Sequence, residues 1–146
     1  MSRIALVLPA VLLLLILALP AQSQAPKGSP YAAVPAEDAA KANPVKSTAE
    51  SLAKGKKWWN IDCSMCHGDS GDGKGDVAQD TKLQIVNLTD PAALKSHTDG
   101  EIYWVIKNGH QDMPPEGPRV KGEELWDLVN YVRSLSKPKS DTAQKP

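Results

Sequence analysis

The chain of 146 residues contains no phenylalanine, and its four tryptophans and three tyrosines are few aromatic side chains from which to build a core. Its two cysteines cannot complete a four-ligand zinc site and are too few for the dense disulfide framework of a small secreted scaffold. Acidic and basic residues balance at 17 each, so the chain lacks the basic excess of a nucleic-acid-binding protein. With 41% hydrophobic and 23% charged residues, the composition is that of an ordinary globular protein with one domain.

The first residues have the pattern of a secretory signal peptide. Arg3 precedes an apolar run from Ile4 to Leu19, and small residues follow it. The run is shorter than the roughly 20 apolar residues of a membrane-spanning helix, and Pro9 interrupts it. We therefore expect residues 1–23 to be a signal peptide that is cleaved near Ser23 and directs the protein to the periplasm, an oxidising compartment. The alternative is an uncleaved anchor, which would be the expected membrane contact.

Two further segments have hardly any large apolar side chains to bury. Residues 24–46 are rich in proline and alanine and are expected to form a flexible tether. Residues 138–146 are polar and are expected to form a flexible tail. Residues 47–137 remain as the folded domain.

Helical periodicity and capping signals predict three helices in this domain, at about residues 47–62, 98–109 and 122–135. The first two open with capping boxes that begin at Ser47 and Thr98. No run alternates long enough to predict a strand, so the expected fold class is all-α with long loops. The residues expected on the buried face of the first helix are Leu52, Gly55 and Trp59.

The segment Cys63-Ser64-Met65-Cys66-His67 is the densest cluster of metal-capable side chains in the chain. Two thiols three positions apart can add to the two vinyl groups of a haem, while the adjacent imidazole reaches the iron. The alternatives are a disulfide within a turn and a redox-active Cys-x-x-Cys pair, but the latter requires a strand–helix–strand unit that is not predicted. The motif favours covalent attachment of one haem c through Cys63 and Cys66, with His67 as the proximal iron ligand.

With three further stretches, this motif makes the chain resemble the single-haem c-type cytochromes of bacteria over nearly the whole predicted domain. The resemblance implies a small helical bundle wrapped around one haem, in which Gly55 and Trp59 cross the last helix beside Tyr131. In one departure, Asp76 stands where many relatives carry a proline whose carbonyl orients the proximal histidine, so the hydrogen-bond partner of His67 is left open. The three stretches are Ile102–Gly109, Met113–Pro114 and Leu128–Leu135.

The sixth ligand of the iron follows from elimination as well as from this resemblance. Met1 is lost with the signal peptide and Met65 lies inside the attachment motif, so Met113 is the remaining methionine of three. Two prolines follow it and stiffen the loop, as a weakly binding thioether requires. His110 is the rival ligand, whereas His97 is expected to be a surface or loop histidine.

Ligation by both His67 and Met113 would leave no vacant iron site for oxygen or peroxide. We therefore expect an exported electron carrier, not an enzyme. Its expected partners are other redox proteins, with a dehydrogenase or reductase as donor and an oxidase or reductase as acceptor. Two alternatives stay open: a haem-bearing subunit of a larger oxidoreductase complex, and a haem sensor or enzyme with a labile sixth ligand.

Three further features of the sequence are weaker indicators of function. The glycine-rich stretch Asp69–Asp76 lacks the terminal glutamate of a calcium loop, and is expected to be a flexible loop that covers the haem. The lysines between Lys54 and Lys57 are expected on a solvated helix face, with a docking patch as the alternative. Trp104 is left open between a place at the haem and one at the surface.

Overall fold

The computed structural model describes residues 28–137, so the predicted signal peptide and C-terminal tail lie outside the described residues. A 3₁₀ turn covers Pro30–Ala33, and a π-helical turn, Trp59–Cys63, joins α2 to α3. No strand occurs within residues 28–137, and the predicted all-α class is confirmed. In the same range no helix has the length and hydrophobicity needed to cross a membrane. The helices are α1 (Ala36–Ala39), α2 (Ala49–Trp58), α3 (Ser64–His67), α4 (Asp76–Thr81), α5 (Asp99–Asn108) and α6 (Glu123–Ser134).

The helices α2 and α6 cross at Gly55, where the absence of a side chain allows close approach. A Cβ atom built on Gly55 would overlap the backbone oxygen of Asp127 and lie 2.7 Å from the Cβ atom of Tyr131. One turn further along, the Trp59 ring packs against the Tyr131 ring at a centroid distance of 5.7 Å. The crossing that the resemblance implied is therefore present.

The hydrophobic core is built by α5, α6 and the π-helical turn. The predicted face of the third helix is buried through Leu125, Leu128, Val129 and Val132. On the first helix the buried residues are Ser51, Gly55 and Trp59, while Leu52 is only half-buried. The most completely buried large side chains are Trp59, Val120, Leu125, Leu128 and Val129.

The two predicted capping boxes have different outcomes. At α5, the Thr98 side chain accepts from the Glu101 backbone and the Glu101 carboxylate accepts from Thr98, as predicted. At α2, the predicted cap at Ser47 is wrong, because Thr48 has the extended backbone of a cap and its hydroxyl accepts from the Ser51 amide at 3.2 Å. This shift places Glu50 one position too early to complete a box.

Within the predicted tether, residues 28–46 make several contacts with the domain. The Tyr31 ring stacks on His97 with centroids 3.6 Å apart. Asn43 donates to the side-chain oxygen of Asn130 in α6 at 3.0 Å. The segment docks through one aromatic ring and a few polar bonds, so its low content of large apolar residues gave no sign of packing.

Candidate haem site

The attachment motif lies where α2 continues through the π-helical turn into α3. Cys63 ends the turn, and α3 carries Cys66 and His67 before Gly68 ends the helix with a φ of 80°. Residues three and four positions apart are neighbours on a helix surface. The local helix therefore brings Cys66 and His67 to the side of the chain on which Cys63 lies.

A cavity of about 440 Å³ opens beside this motif, within the size range of cofactor sites. Cys63 and His67 line one side of it, and Met113 also lines it. A smaller cavity of about 90 Å³ adjoins the same residues and is lined by Cys66 as well. The apolar lining of the larger cavity comes mainly from Trp59, Leu83, Ile85, Leu88, Leu94, Ile102, Val105, Ile106, Leu128 and Val132.

The state of the two thiols disfavours the alternatives to haem attachment. Both Cys63 and Cys66 are free, so neither forms the disulfide that the sequence left open. Burial raises the pKa of the Cys63 thiol to about 12, and the negative charges of Glu116 and Asp62 act in the same direction. A redox-active pair depends on a thiolate with a lowered pKa, which this environment opposes.

His67 is held in the form that binds metals. Burial lowers the pKa of its imidazole, which favours the neutral ring. Its Nδ1 atom is buried and makes no hydrogen bond within residues 28–137. The partner that the departure at Asp76 left open is thus not among the described contacts, and Asp76 itself is exposed at the start of α4.

Met113 reaches the cavity from a tight turn that follows α5. The backbone amides of His110 and Met113 donate to each other's carbonyls at 3.0 and 2.9 Å, and Gln111 between them has a φ of 50°. Both the Met113 and the His110 side chains line the larger cavity. The structure thus brings the predicted ligand and its rival to the same cavity as His67.

The remaining candidates lie away from this cavity. Met65 is 53% exposed and does not line the larger cavity, in line with its elimination as a ligand. His97 belongs to a loop and packs on Tyr31, and its side chain is half-buried instead of lying at the surface. Trp104 lines neither cavity and is half-buried on α5.

One wall of the cavity was not predicted from the sequence. The stretch Leu83–Val86 lines the cavity, whereas Asp69–Asp76, expected to cover the haem, does not. Asp69–Asp76 instead winds against α3, with the Gly73 amide donating to the His67 carbonyl at 2.8 Å. Tyr31 of the N-terminal segment lines the cavity too. The short apolar run at 83–86 was the signal that could have identified the wall.

The residues of the cavity fit a haem. Besides His67 Nδ1, the buried nitrogen atoms Trp59 Nε1 and His110 Nε2 lack partners within the described structure, and both residues line the cavity. Such orphaned polar atoms indicate a missing partner at the site. Across residues 28–137, no three His, Cys, Asp or Glu side chains come together as metal ligands. A porphyrin brings its own equatorial nitrogens, so it needs only the axial side chains that the cavity offers.

Sequence comparisons agree with this fit. The family described as "Cytochrome C oxidase, cbb3-type, subunit III" matches residues 50–132. Cytochrome c6 of Pyropia yezoensis is 31% identical over 60% of this chain and 74% of its own length. Cytochrome c6 of Pyropia tenera is also 31% identical, over 58% of this chain and 93% of its own length.

Solved structures resemble more than half of the molecule. A chain of the Kuenenia stuttgartiensis reducing HAO-like protein complex superposes with a TM-score of 0.57 at 24% identity, which is a likeness of fold. The match covers 64% of this chain and 47% of that one, so this protein spans about half its length. A structure described as a c-type cytochrome has a TM-score of 0.51 at 27% identity and covers 57% of this chain and 98% of its own.

Proposed function

This chain belongs to the c-type cytochromes, which carry covalently bound haem and transfer electrons, and from that membership we propose that it is an exported one-electron carrier. In this proposal His67 and Met113 are the axial ligands of the iron. The protein is not an enzyme but exchanges electrons with other redox proteins in the periplasm.

The observation that carries the proposal is the meeting of His67 and Met113 in one apolar cavity beside Cys63. These residues come from two separate parts of the fold. His67 lies in the segment formed by the π-helical turn and α3, residues 59–67, which we call the attachment helix, and Met113 lies in the loop after α5. Two protein ligands would leave no coordination position for a substrate. A centre whose ligands do not change suits electron transfer better than oxygen or peroxide chemistry.

The chain's own residues have separable tasks at this site. Cys63 and Cys66 would form the two thioether links, and the neutral His67 imidazole would bind the iron without competition from protons. The apolar lining would exclude water from the ligands. When bound, haem c supplies an Fe(III)/Fe(II) couple, and a thioether ligand raises its potential relative to two histidines.

The mature protein tests the proposal directly. An intact mass together with an optical spectrum reports cleavage of the signal, the number of covalent haems and the spin state. We expect one haem per chain and a low-spin spectrum. A colourless mature protein, or pigment released by acidified organic solvent, would contradict covalent attachment.

Met113→Ala distinguishes the two candidates for the sixth ligand. We expect this variant to become high-spin with a lower potential, because the thioether is lost. The matched control is His110→Ala, which changes the rival ligand in the same turn and should keep the wild-type spectrum. An unchanged low-spin spectrum in Met113→Ala would exclude Met113 as the ligand.

A second candidate function is a haem-bearing subunit of a larger oxidoreductase. It is favoured by the matching family, which is described as an oxidase subunit, and by the similar chain from a protein complex. Size-exclusion chromatography of native extract would show co-migration with a partner in that case.

Rapid carbon monoxide binding by the ferrous protein at neutral pH would instead favour a sensor or enzyme.

A further inference from the structure

Arg119 forms an ion-pair bridge between the Asp62 and Glu116 carboxylates, which both line the smaller cavity beside the haem-attachment motif. Its Nη1 atom is 2.8 Å from Asp62 Oδ1, and its Nη2 atom is 3.0 and 3.1 Å from the two Glu116 oxygens. Asp62 lies in the π-helical turn, directly before Cys63. Glu116 follows Met113 on the loop after α5 and lines the smaller cavity. The Asp62–Arg119–Glu116 bridge thus connects the attachment helix to the loop that carries Met113.

Both carboxylates are buried, whereas the cation is partly exposed. The Asp62 and Glu116 side chains are 8% and 5% exposed, and Arg119 is 54% exposed. Burial raises the pKa of Glu116, although the hydrogen bond from Arg119 acts in the opposite direction. Removing one partner of a buried pair leaves an uncompensated charge, which costs more than the pair itself contributes. Loss of Arg119 would therefore push the two carboxylates apart or admit water between them.

The loop has other anchors, but they attach it to α5 and not to the attachment helix. The Glu116 and Gly117 amides donate to the Ile106 and Lys107 carbonyls of α5, both at 3.0 Å. In the described part of the chain, the polar contacts between residues 109–121 and 59–67 all involve Asp62, which pairs with Arg119 and also lies close enough to Glu116 to raise the pKa of that carboxyl. Without Arg119, the buried Asp62 and Glu116 carboxylates lose the cation that holds them together, and the loop is expected to shift relative to His67 while it stays attached to α5.

We propose that Arg119 is a positioning residue that holds the Met113 loop against the attachment helix, and so keeps the thioether bound and outside ligands excluded. This inference rests on the proposed His67 and Met113 ligation. A thioether is a weak ligand, so its occupancy of the iron depends on a loop that does not swing away. Because Arg119 is half-exposed, its effect is expected to weaken at high salt.

The test measures imidazole binding to the ferric holoprotein and the absorption band of thioether ligation. In Asp62→Asn, which keeps the side-chain shape, and in Arg119→Ala, we expect the band to weaken. Imidazole should bind about fivefold faster or more, as expected for a partly screened ion pair. Arg119→Lys should lie between Arg119→Ala and the wild type, because lysine keeps the positive charge but cannot bind a carboxylate through two parallel N–H groups. The double variant should change no more than the larger single change, since both remove the same contact.

Arg133 provides the matched control. Its Nε atom is 2.8 Å from Asp99 Oδ1 and its Nη1 atom donates to the Leu94 carbonyl at 2.7 Å, away from the Met113 loop. Arg133→Ala should lower the melting temperature without changing imidazole binding. The proposal is overturned if Arg119→Ala and Asp62→Asn bind imidazole at the wild-type rate, or if Arg133→Ala accelerates it equally. A wild-type protein without the thioether band would instead refute the proposed ligation, and this inference with it.

Discussion

At the residue scale, Gly55 shows how one position determines the contact between two helices. Its buried Cα lies directly against the Asp127 backbone, and any side chain there must displace α6. An ordinary helical glycine costs stability relative to alanine, so Gly→Ala within a helix is normally favourable. At this crossing we expect the opposite, so that replacing the glycine by alanine destabilises the protein.

We predict that Gly55→Ala destabilises the protein by about 1–3 kcal/mol, because the new methyl group overpacks the crossing. The comparison is Ala53→Gly at an exposed position of the same helix, which should lose only about 1 kcal/mol. Denaturant unfolding of the two holoproteins measures both changes. An unchanged or increased midpoint for Gly55→Ala would show that α6 does not approach as closely as described.

At the element scale, the N-terminal segment 28–46 forms part of the site although it lies outside the matched family region. Asn130 links it to the helices by donating to the Val45 carbonyl at 3.0 Å and to the Ser51 hydroxyl at 2.9 Å. Tyr31 lines the cavity and packs on His97. The segment therefore covers one edge of the cofactor cavity.

Docking of this segment is expected to weaken at alkaline pH, because Tyr31 then ionises. Burial raises the pKa of Tyr31 from 10.0 to about 12, so the docked segment favours the neutral phenol. Its contribution to stability is fully present below pH 10 and is lost as the pH rises towards 12. In Tyr31→Phe this loss should be absent, because phenylalanine does not ionise.

The absorbance of ionised tyrosine is measured against pH in the wild type and in Tyr31→Phe. The difference between the two curves is the titration of Tyr31. We expect a midpoint near 12, and a melting temperature that falls more steeply between pH 10 and 12 in the wild type. A midpoint at the ordinary value of 10.0 would indicate an exposed phenol and would support the tether predicted from the sequence.

At the scale of the whole molecule, the haem is expected to act as a major part of the core. Without the haem, the apolar side chains that line this cavity would face water, at about 25 cal/mol for each Å² of apolar surface. A typical domain is stable by only about 5–15 kcal/mol, so exposure of the cavity lining would remove a substantial part of that stability. A chain with no phenylalanine, four tryptophans and three tyrosines has few aromatic rings of its own with which to fill this space.

We predict that a Cys63→Ala/Cys66→Ala variant, which cannot attach haem, loses most of its helical circular dichroism signal and its cooperative thermal transition. Met113→Ala is the control, because it keeps both cysteines and should stay helical despite its altered spectrum. A haem-free double variant with wild-type helicity and a cooperative transition would show that the polypeptide closes the cavity by itself.

The sequence by itself determined the features that depend on neighbouring residues. The haem-attachment motif is contained within Cys63–His67, and the capping box at Thr98 and the periodic faces of α5 and α6 are read within one or two helical turns. These signals identified the fold class correctly, because local spacing is sufficient to bring such groups together, and they predict the attachment residues in the same way.

Only the tertiary structure decided which distant segments meet. It placed Tyr31 and the run 83–86 on the cavity wall, set Met113 and His110 on the same cavity, and brought Arg119 to Asp62. Each of these contacts depends on how the helices pack, and a contact between distant residues leaves no periodic pattern in one sequence. The physical reason is that the loops are held by a few polar bonds and single side chains, which composition and spacing do not reveal.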